Sequence, residues 1–287
     1  MSILIDGLSL GGIYALIALG YTMVYGIANM LNFAHGDIIM VGAYAAFATL
    51  SLCGFPLVAV LVSVVVCVLL GILVERVAYR PLRGASPLAV LITAIGVSYL
   101  MQSTAQLIFG AKPRTVVLWN LPPVHVFGAT VSGASLITLG VCVLIMAGLT
   151  LFVNKTRTGH AMLAVSEDRG AAELMGVNVN RIIALTFAIG SALAAFAGIF
   201  YLMYIPRVTP TLGSMPGIKA FTAAVIGGIG SIPGAMIGGV LLGVIETVCL
   251  NVPALSSYTT SIEFGLLILI LLVRPTGLLG KRRREKV

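Results

Sequence analysis

A series of long apolar runs, almost free of charged residues, dominates this sequence. A helix needs about 20 mostly apolar residues to cross a bilayer, and the 287 residues have room for eight to ten such helices. Only 9% of the residues are charged, against about 25% in a typical soluble domain. The runs are continuous, whereas a membrane β-barrel alternates apolar and polar positions. We therefore predict an all-α, polytopic integral membrane protein with about 8–10 transmembrane helices, in which residues 1–287 form a single transmembrane domain.

Basic residues predict which loops face the cytoplasm, because Lys and Arg collect on that side of membrane proteins. They concentrate in the loop 75–86, the loop 154–181 and the tail 274–287. The loops 110–132 and 204–217 then lie outside. The net charge of +8 is thereby explained by topology and by contact of the tail with anionic lipid, so no nucleic-acid partner is expected.

Helix parity depends on one glycine-rich segment, 218–231, which is apolar but short. If it crosses the membrane, the chain has nine helices and an external N-terminus, whereas a re-entrant segment, or a first region broken near residues 26–37, gives eight. A tenth helix needs an additional half-helix. The start of the chain has no Lys or Arg before the first apolar run, and a secretory signal needs a positive segment there. We therefore expect the first run to be a spanning helix.

The cytoplasmic loop 154–181 contains the signals of a short helix. Ser166 is placed to cap it, Glu167 and Asp168 occupy a first turn where the helix dipole favours anions, and Gly176 suits its end. The expected helix has about nine residues and carries exposed apolar side chains at its end, Leu174 and Met175. It is either a docking surface for a soluble partner or an ordinary solvated loop.

Five stretches together resemble one family. They are GGIYAL at 11–16, LNFAHGD at 31–37, AAELMGVN at 171–178, AIGSALAAFAG at 188–198 and GGIGSIPG at 227–234. In this order they are similar to the inner-membrane permease subunits of bacterial ABC importers for branched-chain amino acids, in particular the LivH-type members. The resemblance extends over nearly the whole chain.

This resemblance implies a division of labour between subunits. Two permease subunits, a heterodimer by likeness, form the pore in the bacterial cytoplasmic membrane. Two cytoplasmic ATPases bind ATP and magnesium, and an extracytoplasmic protein delivers the substrate. The chain is then a transport subunit rather than an enzyme and binds no cofactor or metal, which agrees with its lack of a G-x-x-x-x-G-K-[ST] phosphate loop. The resemblance makes the loop helix a coupling helix, formed by Glu167, Asp168, Ala171, Ala172, Glu173, Leu174, Met175 and Gly176.

A polar break interrupts the apolar sequence between the first two helices, at Asn29, Asn32, His35 and Asp37. Ionisable groups at membrane depth are costly and usually face a cavity or a partner. These residues either shape the translocation path or its cytoplasmic gate, or form a polar turn at the membrane surface in which Asn32 or Asp37 caps the second helix.

Glycines in the late helices recur every four residues, a spacing that lets helices approach closely. We predict helix packing at Gly230, Gly234, Gly238, Gly239 and Gly243, with exposed backbone along a pore as the alternative. Glu246 and Glu263 lie in late apolar helices, where each either pairs with a basic side chain of another helix or lies near a wet interface.

Two other functions stay open at this stage. Within the same class, the substrate could be urea, a short amide or another small solute. In a different class, the chain would be an ion-coupled secondary transporter that works alone; such proteins often contain internal repeats and buried charged pairs. The sequence has no repeat that we detect, and the loop 154–181 is unexplained in such a transporter.

Overall fold

A computed structural model describes residues 2–119, 121–126 and 129–280. The chain is mainly helical. The helices are α1 Ser2–Ala28, α2 His35–Cys53, α3 Pro56–Val74, α4 Pro87–Phe109, α5 Gly133–Lys155, α6 Arg157–Glu167, α7 Arg169–Leu174, α8 Val179–Tyr204, α9 Ser214–Gly227, α10 Ile232–Asn251, α11 Pro253–Ser256 and α12 Thr259–Val273. A π-helical turn, Glu75–Tyr79, and a 3-10 turn, Arg80–Leu82, continue α3.

Four short strands in the described residues form two antiparallel pairs. They are β1 Arg114–Thr115, β2 Val124–Val126, β3 Ala129–Val131 and β4 Arg207–Val208. In the first pair Arg114 is opposite Val208, and in the second His125 is opposite Thr130. The pairing of β1 with β4 joins the loop after α4 to the loop after α8.

Local sequence signals set several helix ends. Pro56 and Pro87 each open a helix, where a proline loses no intrahelical hydrogen bond. The Ser86 hydroxyl accepts a hydrogen bond from the Ala89 amide at 3.3 Å and so caps α4. Gly54 ends α2 with a φ of 70°, a left-handed conformation that glycine adopts without steric cost.

Seven of the helices in the described part of the chain are long and apolar enough to cross a bilayer. They are α1, α2, α3 with its continuation, α4, α5, α8 and α10. The helices α9 and α12 have 14 and 15 residues, or roughly 21–23 Å at 1.5 Å per residue, short of the ~30 Å hydrocarbon core. The all-α polytopic prediction is confirmed, and the nine predicted apolar segments correspond to seven long helices and two short ones.

Helix α1 lies at the centre of the bundle and packs against α10, α8, α5 and α9. Nearly all of its residues from Leu10 to Val24 are fully buried. The helices α3, α4 and α5 lie at the periphery and expose leucine, isoleucine and valine side chains. This exposure is the arrangement expected where lipid or another membrane subunit replaces water.

The predicted cytoplasmic loops meet at one end of the bundle, called here the basic end. Arg169 donates hydrogen bonds to the carbonyl groups of Ile27 and Ala28 at the end of α1. Arg83, after α3, donates to Glu75 and to Asn180 at the start of α8. The opposite, outer end contains the strand pairs, so the structure separates the loops as the basic residues predict. The predicted basic tail residues 281–287 lie outside the described residues.

Helix α9 starts inside the bundle rather than at its outer end. Its last residue, Gly227, lies against Gly234 near the basic end, while Gly213, just before its start, lies against Gly36. The neighbouring His35 packs against Gly20 of α1, eight residues before the end of that helix, or roughly 12 Å deeper at 1.5 Å per residue. Both α2 and α9 therefore begin within the thickness of the bundle.

Candidate functional site

The loop between α5 and α8 is a compact structure in which every helix is capped. Thr156 caps α6 by accepting from the Gly159 amide at 3.0 Å. Asp168 caps α7 by accepting from the Ala171 amide at 3.0 Å, and Asn178 caps α8 through the Arg181 amide at 3.0 Å. Such caps satisfy amides that a helix start leaves without partners. The loop is therefore a built surface of defined shape.

Helix α7 ends in a Schellman arrangement around Gly176. The residue has a φ of 84°, its amide donates to Glu173 O, and the next amide, of Val177, donates to Ala172 O. These two bonds are the pair that defines the motif. Glycine is favoured at this position because a side chain would be strained there.

Helix α7 differs in two respects from the helix that the sequence predicts here. Ser166 does not cap it, since its hydroxyl donates to Leu163 O at 2.7 Å within α6. Glu167 is the last residue of α6 rather than a first-turn residue, and the cap is Asp168. Helix α6 itself was not predicted. Most of its surface is polar, and only a narrow apolar stripe, in which Met162 and Val165 are buried, indicates a packed helix.

Exposed apolar side chains mark the surface of α7. Ala172 is buried and seats the helix on the bundle, while Leu174 is 91% exposed and Met175 is 85% exposed. Both lie at the basic end, beyond the helices that span the membrane. Large apolar side chains that face water in this way mark interaction surfaces when they cluster. We call the α6–α7 hairpin, with Leu174 and Met175 at its end, the coupling surface.

The four residues of the polar break are not gathered around one cavity. Asn29 is exposed at the basic end, with a φ of 51°, while Asn32, His35 and Asp37 are each at least 98% buried. The Tyr79 hydroxyl donates to Asn32 at 2.7 Å, and Gln102 donates to Asp37 at 2.9 Å. The predicted alternative of a surface turn is wrong for these three residues, and so is capping, because Ala34 precedes α2 without a side-chain cap.

His35 belongs to an aromatic cluster between α1, α2 and α9. Its ring meets Tyr21 edge-on at 4.8 Å, and Phe221 contacts both Tyr21 and Phe33, at 5.8 and 5.3 Å. The His35 Nε2 atom has no hydrogen-bond partner among the described residues. A small cleft opens beside the cluster toward the basic end, and its lining is Tyr21, Tyr25, Leu31, Asn32, Phe221, Ala224 and Ile229.

The glycines of α10 form two contact lines. Gly234 and Gly238 lie against the backbone of α9, at Gly227 and Ala223. Gly239 and Gly243 lie against the backbone of α1, and the partners there are Ala15 and Gly11. The helix packing predicted at these four positions is therefore present in the structure.

Gly230 differs from the other four glycines. It lies in the turn before α10, with a φ of 91°, and a side chain at this position would meet open space within 4 Å. The residue therefore lies in a turn and not in a helix, although its Cα is 3.4 Å from the position that a Cβ on Gly26 of α1 would take. Glycine suits the position because of its backbone conformation.

Comparison with known proteins identifies the family. A family model described as the permease component of branched-chain amino acid transport systems matches residues 3–272. The chain belongs to this family. It is therefore a multi-pass membrane protein and a permease component of an ABC transporter complex.

Full-length relatives of this permease are found in both bacteria and archaea. The high-affinity branched-chain amino acid permease BraD of Pseudomonas aeruginosa is 46% identical over 99% of this chain and 97% of its own length. LivH of Escherichia coli is 44% identical over 98% and 96%. A probable LivH of Methanocaldococcus jannaschii is 31% identical over 92% and 88%.

A solved structure shares the fold of this permease. PsaBC from Streptococcus pneumoniae, solved in complex with Fab, superposes with a TM-score of 0.50 over 96% of this chain and 93% of the matched chain. The sequence identity is 16%, so the likeness concerns the fold alone.

The permease also contains a buried ionic cluster that sequence reasoning only partly anticipated. Lys219 Nζ of α9 lies 2.7 Å from Glu246 Oε1 of α10 and 3.2 Å from the Glu263 carboxylate of α12. The side chains are 10%, 12% and 1% exposed. The two glutamates were expected to pair with a basic residue of another helix or to lie near a wet interface. Lys219, in the short segment 218–231, was the missing partner, and its presence amid apolar residues was the available signal.

A cleft of about 230 Å³ opens at the outer end between α1, α5 and α8. Hydroxyl groups and a carboxylate line one part of it, and the Ser135 hydroxyl donates to Asp6 at 2.7 Å. The apolar part is formed by Ile13, Phe200 and Met203. This cleft and the coupling surface lie at opposite ends of the bundle.

Proposed function

We propose that this chain is one permease subunit of an ATP-driven importer that carries branched-chain amino acids across a bacterial cytoplasmic membrane. The observation that supports this most strongly is the match over almost the full length to high-affinity branched-chain amino acid permeases, at 44–46% identity. A relative named for fructose import is 34% identical over only 48% of this chain. The substrate class therefore follows the full-length relatives.

In this proposal the basic end faces the cytoplasm and the coupling surface binds an ATPase subunit. Leu174 and Met175 supply apolar contact area, and the capped helices hold that area in one orientation. Arg169, which binds the carbonyl groups at the end of α1, ties the coupling surface to the most buried helix of the bundle. Movement imposed on α7 by an ATPase would thus be passed to α1. ATP and magnesium would be bound by the two ATPase subunits, with no cofactor on this chain.

The remaining partners follow from the same family relation. A second, related permease would complete the pore as a heterodimer, against part of the apolar periphery of α3, α4 and α5. An extracytoplasmic binding protein would dock at the outer end, where the strand pairs and the cleft lie. The lipid bilayer would cover the rest of the exposed apolar surface.

The polar break contributes to the inner part of the translocation path in this proposal. Asn32 lines the cleft that opens toward the basic end, next to the aromatic cluster of Tyr21 and Phe221, which would form the inner gate. Asn29 lies at the exposed mouth, and His35 and Asp37 hold the start of α2 inside the bundle. Movement of α1 relative to α9 would separate Tyr21 from Phe221 and open the gate.

Co-purification tests the partners and the coupling surface together. Detergent extracts containing the native chain should yield an ATPase and a second permease. Leu174→Glu with Met175→Glu should lose the ATPase and keep the second permease, because both side chains are exposed and neither packs in the bundle. Val117→Glu, at an exposed apolar position of the outer end, is the matched control and should keep the ATPase.

A transport assay separates the importer from a stand-alone transporter. In proteoliposomes containing the complex, leucine uptake should require ATP on the side of the membrane that corresponds to the cytoplasm. Isoleucine and valine should compete with leucine for uptake, whereas urea should not. Leucine uptake by vesicles that contain this chain without any ATPase would overturn the proposal. Competition by urea alone would retain the ABC permease and change its substrate.

A further inference from the structure

The ionic cluster of Lys219, Glu246 and Glu263 has an unbalanced charge count. Two carboxylates and one ammonium leave a net charge of −1 inside a bundle that is apolar on its outer surface. Lys219 is the only basic side chain in ion-pair contact with either glutamate among the described residues. A buried charge without a partner carries a large desolvation penalty. The three side chains in their usual ionised forms therefore do not make a balanced cluster.

The groups that face the cluster from the other helices do not supply the missing positive charge. Tyr14 of α1 and Tyr201 of α8 interact electrostatically with Glu246, and Tyr204 of α8 also faces it. Phenolic hydroxyls donate hydrogen bonds but carry no positive charge. The neutralising species must then be small enough to share the space already occupied by the two carboxyl groups.

The two carboxyl groups leave matching gaps in their hydrogen bonding. Glu246 Oε2 and Glu263 Oε2 are both buried and accept no hydrogen bond among the described residues, although Glu263 Oε2 lies 3.2 Å from Lys219 Nζ as an ion-pair contact. Both carboxyl groups contact the same atom, Lys219 Nζ, at 2.7 and 3.2 Å, so they lie close to each other. Ionised carboxylates only accept hydrogen bonds, whereas a protonated carboxyl also donates one. A single proton would let one glutamate donate to the other and would satisfy both oxygens at once.

We propose that Glu246 and Glu263 share one proton, so that the cluster with Lys219 is a neutral site within the membrane. The ammonium group pairs with one negative charge, and the proton joins the two carboxyl groups. Carboxyl pairs that share a proton in this way arise because two like charges in contact do not both ionise.

The proton has a mechanical consequence for the helices that carry the cluster. Thr259 and Glu263 are the two buried residues of α12, and the partly buried Leu266, Leu267 and Ile270 also pack against the core, so the carboxyl pair is one of the attachments of that helix. Helix α9, which supplies Lys219, also supplies Phe221 to the aromatic cluster next to the inner cleft. The neutral site therefore links α9, the helix that carries Phe221, to both α10 and α12.

Infrared difference spectroscopy on the detergent-purified complex tests the proposal directly. The native complex should show the carbonyl stretching band of a protonated carboxyl, with the downshift in D₂O that an exchangeable proton gives. Glu263→Gln and Glu246→Gln should each abolish the band, since the remaining glutamate would ionise and pair with Lys219. Glu75→Gln, which removes a buried glutamate paired with Arg83 at the basic end, should leave it unchanged.

Stability measurements keep the test independent of folding failure. Each single glutamine variant should retain a near-native melting temperature, and the double variant should lose much of it because Lys219 is then buried alone. The proposal is overturned if the native band is absent, or if it survives both single substitutions. The native complex could instead lack the band and show a melting temperature that rises with sodium concentration. That result would mean that an alkali cation, not a proton, supplies the neutralising charge.

Discussion

Helices α3 and α10 have similar lengths and are both apolar, yet they occupy opposite environments. The most apolar 18-residue stretch of α10 is half buried, whereas that of α3 is only 28% buried although it is the more apolar of the two. Helix α10 makes its close backbone contacts with α9 and α1 at glycines such as Gly238 and Gly239, while α3 exposes leucines such as Leu61 and Leu69. Within a membrane, hydropathy therefore marks the outer surface, and small residues mark the core.

The largest expected effect concerns the ionic cluster. Helix α10 contributes Glu246 to this cluster, whereas α3 has no comparable cluster. Lys219→Met leaves two carboxyl groups buried without a cation, and removing one partner of a buried pair costs about 3–5 kcal/mol. We expect the variant to be extracted with a strongly lowered melting temperature and to lose transport. Fluorescence-detected thermal unfolding in detergent measures the first effect, and leucine uptake measures the second.

A neutral variant controls for loss of packing at the same position. Lys219→Met combined with Glu246→Gln and Glu263→Gln removes every charge while keeping the side chains close in size. Most of the lost stability should return, because replacing all members of a buried charge network is far less costly than removing one. A triple variant as unstable as Lys219→Met would mean that methionine fails to fit, not that the carboxyl groups lack their cation.

The second prediction concerns the contact of α10 with α1. A side chain at Gly243 would collide with the backbone of Gly11, and backbone cannot move aside as a flexible side chain can. Gly243→Leu should therefore destabilise the permease by about 3 kcal/mol, the upper part of the usual range for overpacking. Thermal unfolding is the measurement. Gly96→Leu in α4, where no atom lies within 4 Å of the position that a Cβ would take, is the matched control and should be close to native.

These glycine contacts show how far the sequence determines the fold. The positions of the nine apolar segments follow from hydropathy and from prolines at helix starts such as Pro56 and Pro87. The four-residue spacing of Gly234 and Gly238 indicates close packing, but not which helix is the partner. That depends on which faces meet, and nothing in a lone sequence fixes it.

The candidate site was less accessible to sequence reasoning than the fold. The end of α7 at Gly176 follows from local chemistry, whereas the choice between Ser166 and Asp168 as its cap depended on whether α6 forms upstream. Lys219 is 27 residues from Glu246 and 44 from Glu263, so their pairing depends on tertiary structure. The partner of Asn32 is likewise 47 residues away, at Tyr79.

The third prediction tests this last pair, which joins the inner end of α3 to the polar break. Tyr79→Phe removes the donor and leaves Asn32 Oδ1 buried without it, which costs about 1–3 kcal/mol. We expect a moderate fall in melting temperature and slower leucine uptake, because Asn32 lines the inner cleft. Tyr99→Phe, at an exposed position of α4, should change neither quantity. An unchanged uptake rate with lowered stability would limit Asn32 to a structural role.

The smallest effect is expected at the coupling surface, which lies outside the membrane and where water replaces lost hydrogen bonds. Asp168→Ala removes the side-chain cap of α7, a loss of about 1 kcal/mol. That value is small for the whole permease but large for a helix of six residues, so α7 should fray while the bundle keeps its melting temperature. Transport and transport-coupled ATP hydrolysis should fall severalfold in reconstituted complexes.

Asp168→Asn should restore both, because asparagine caps a helix as well as aspartate does. Loss of coupling in both variants would assign the role of Asp168 to its charge instead of its cap.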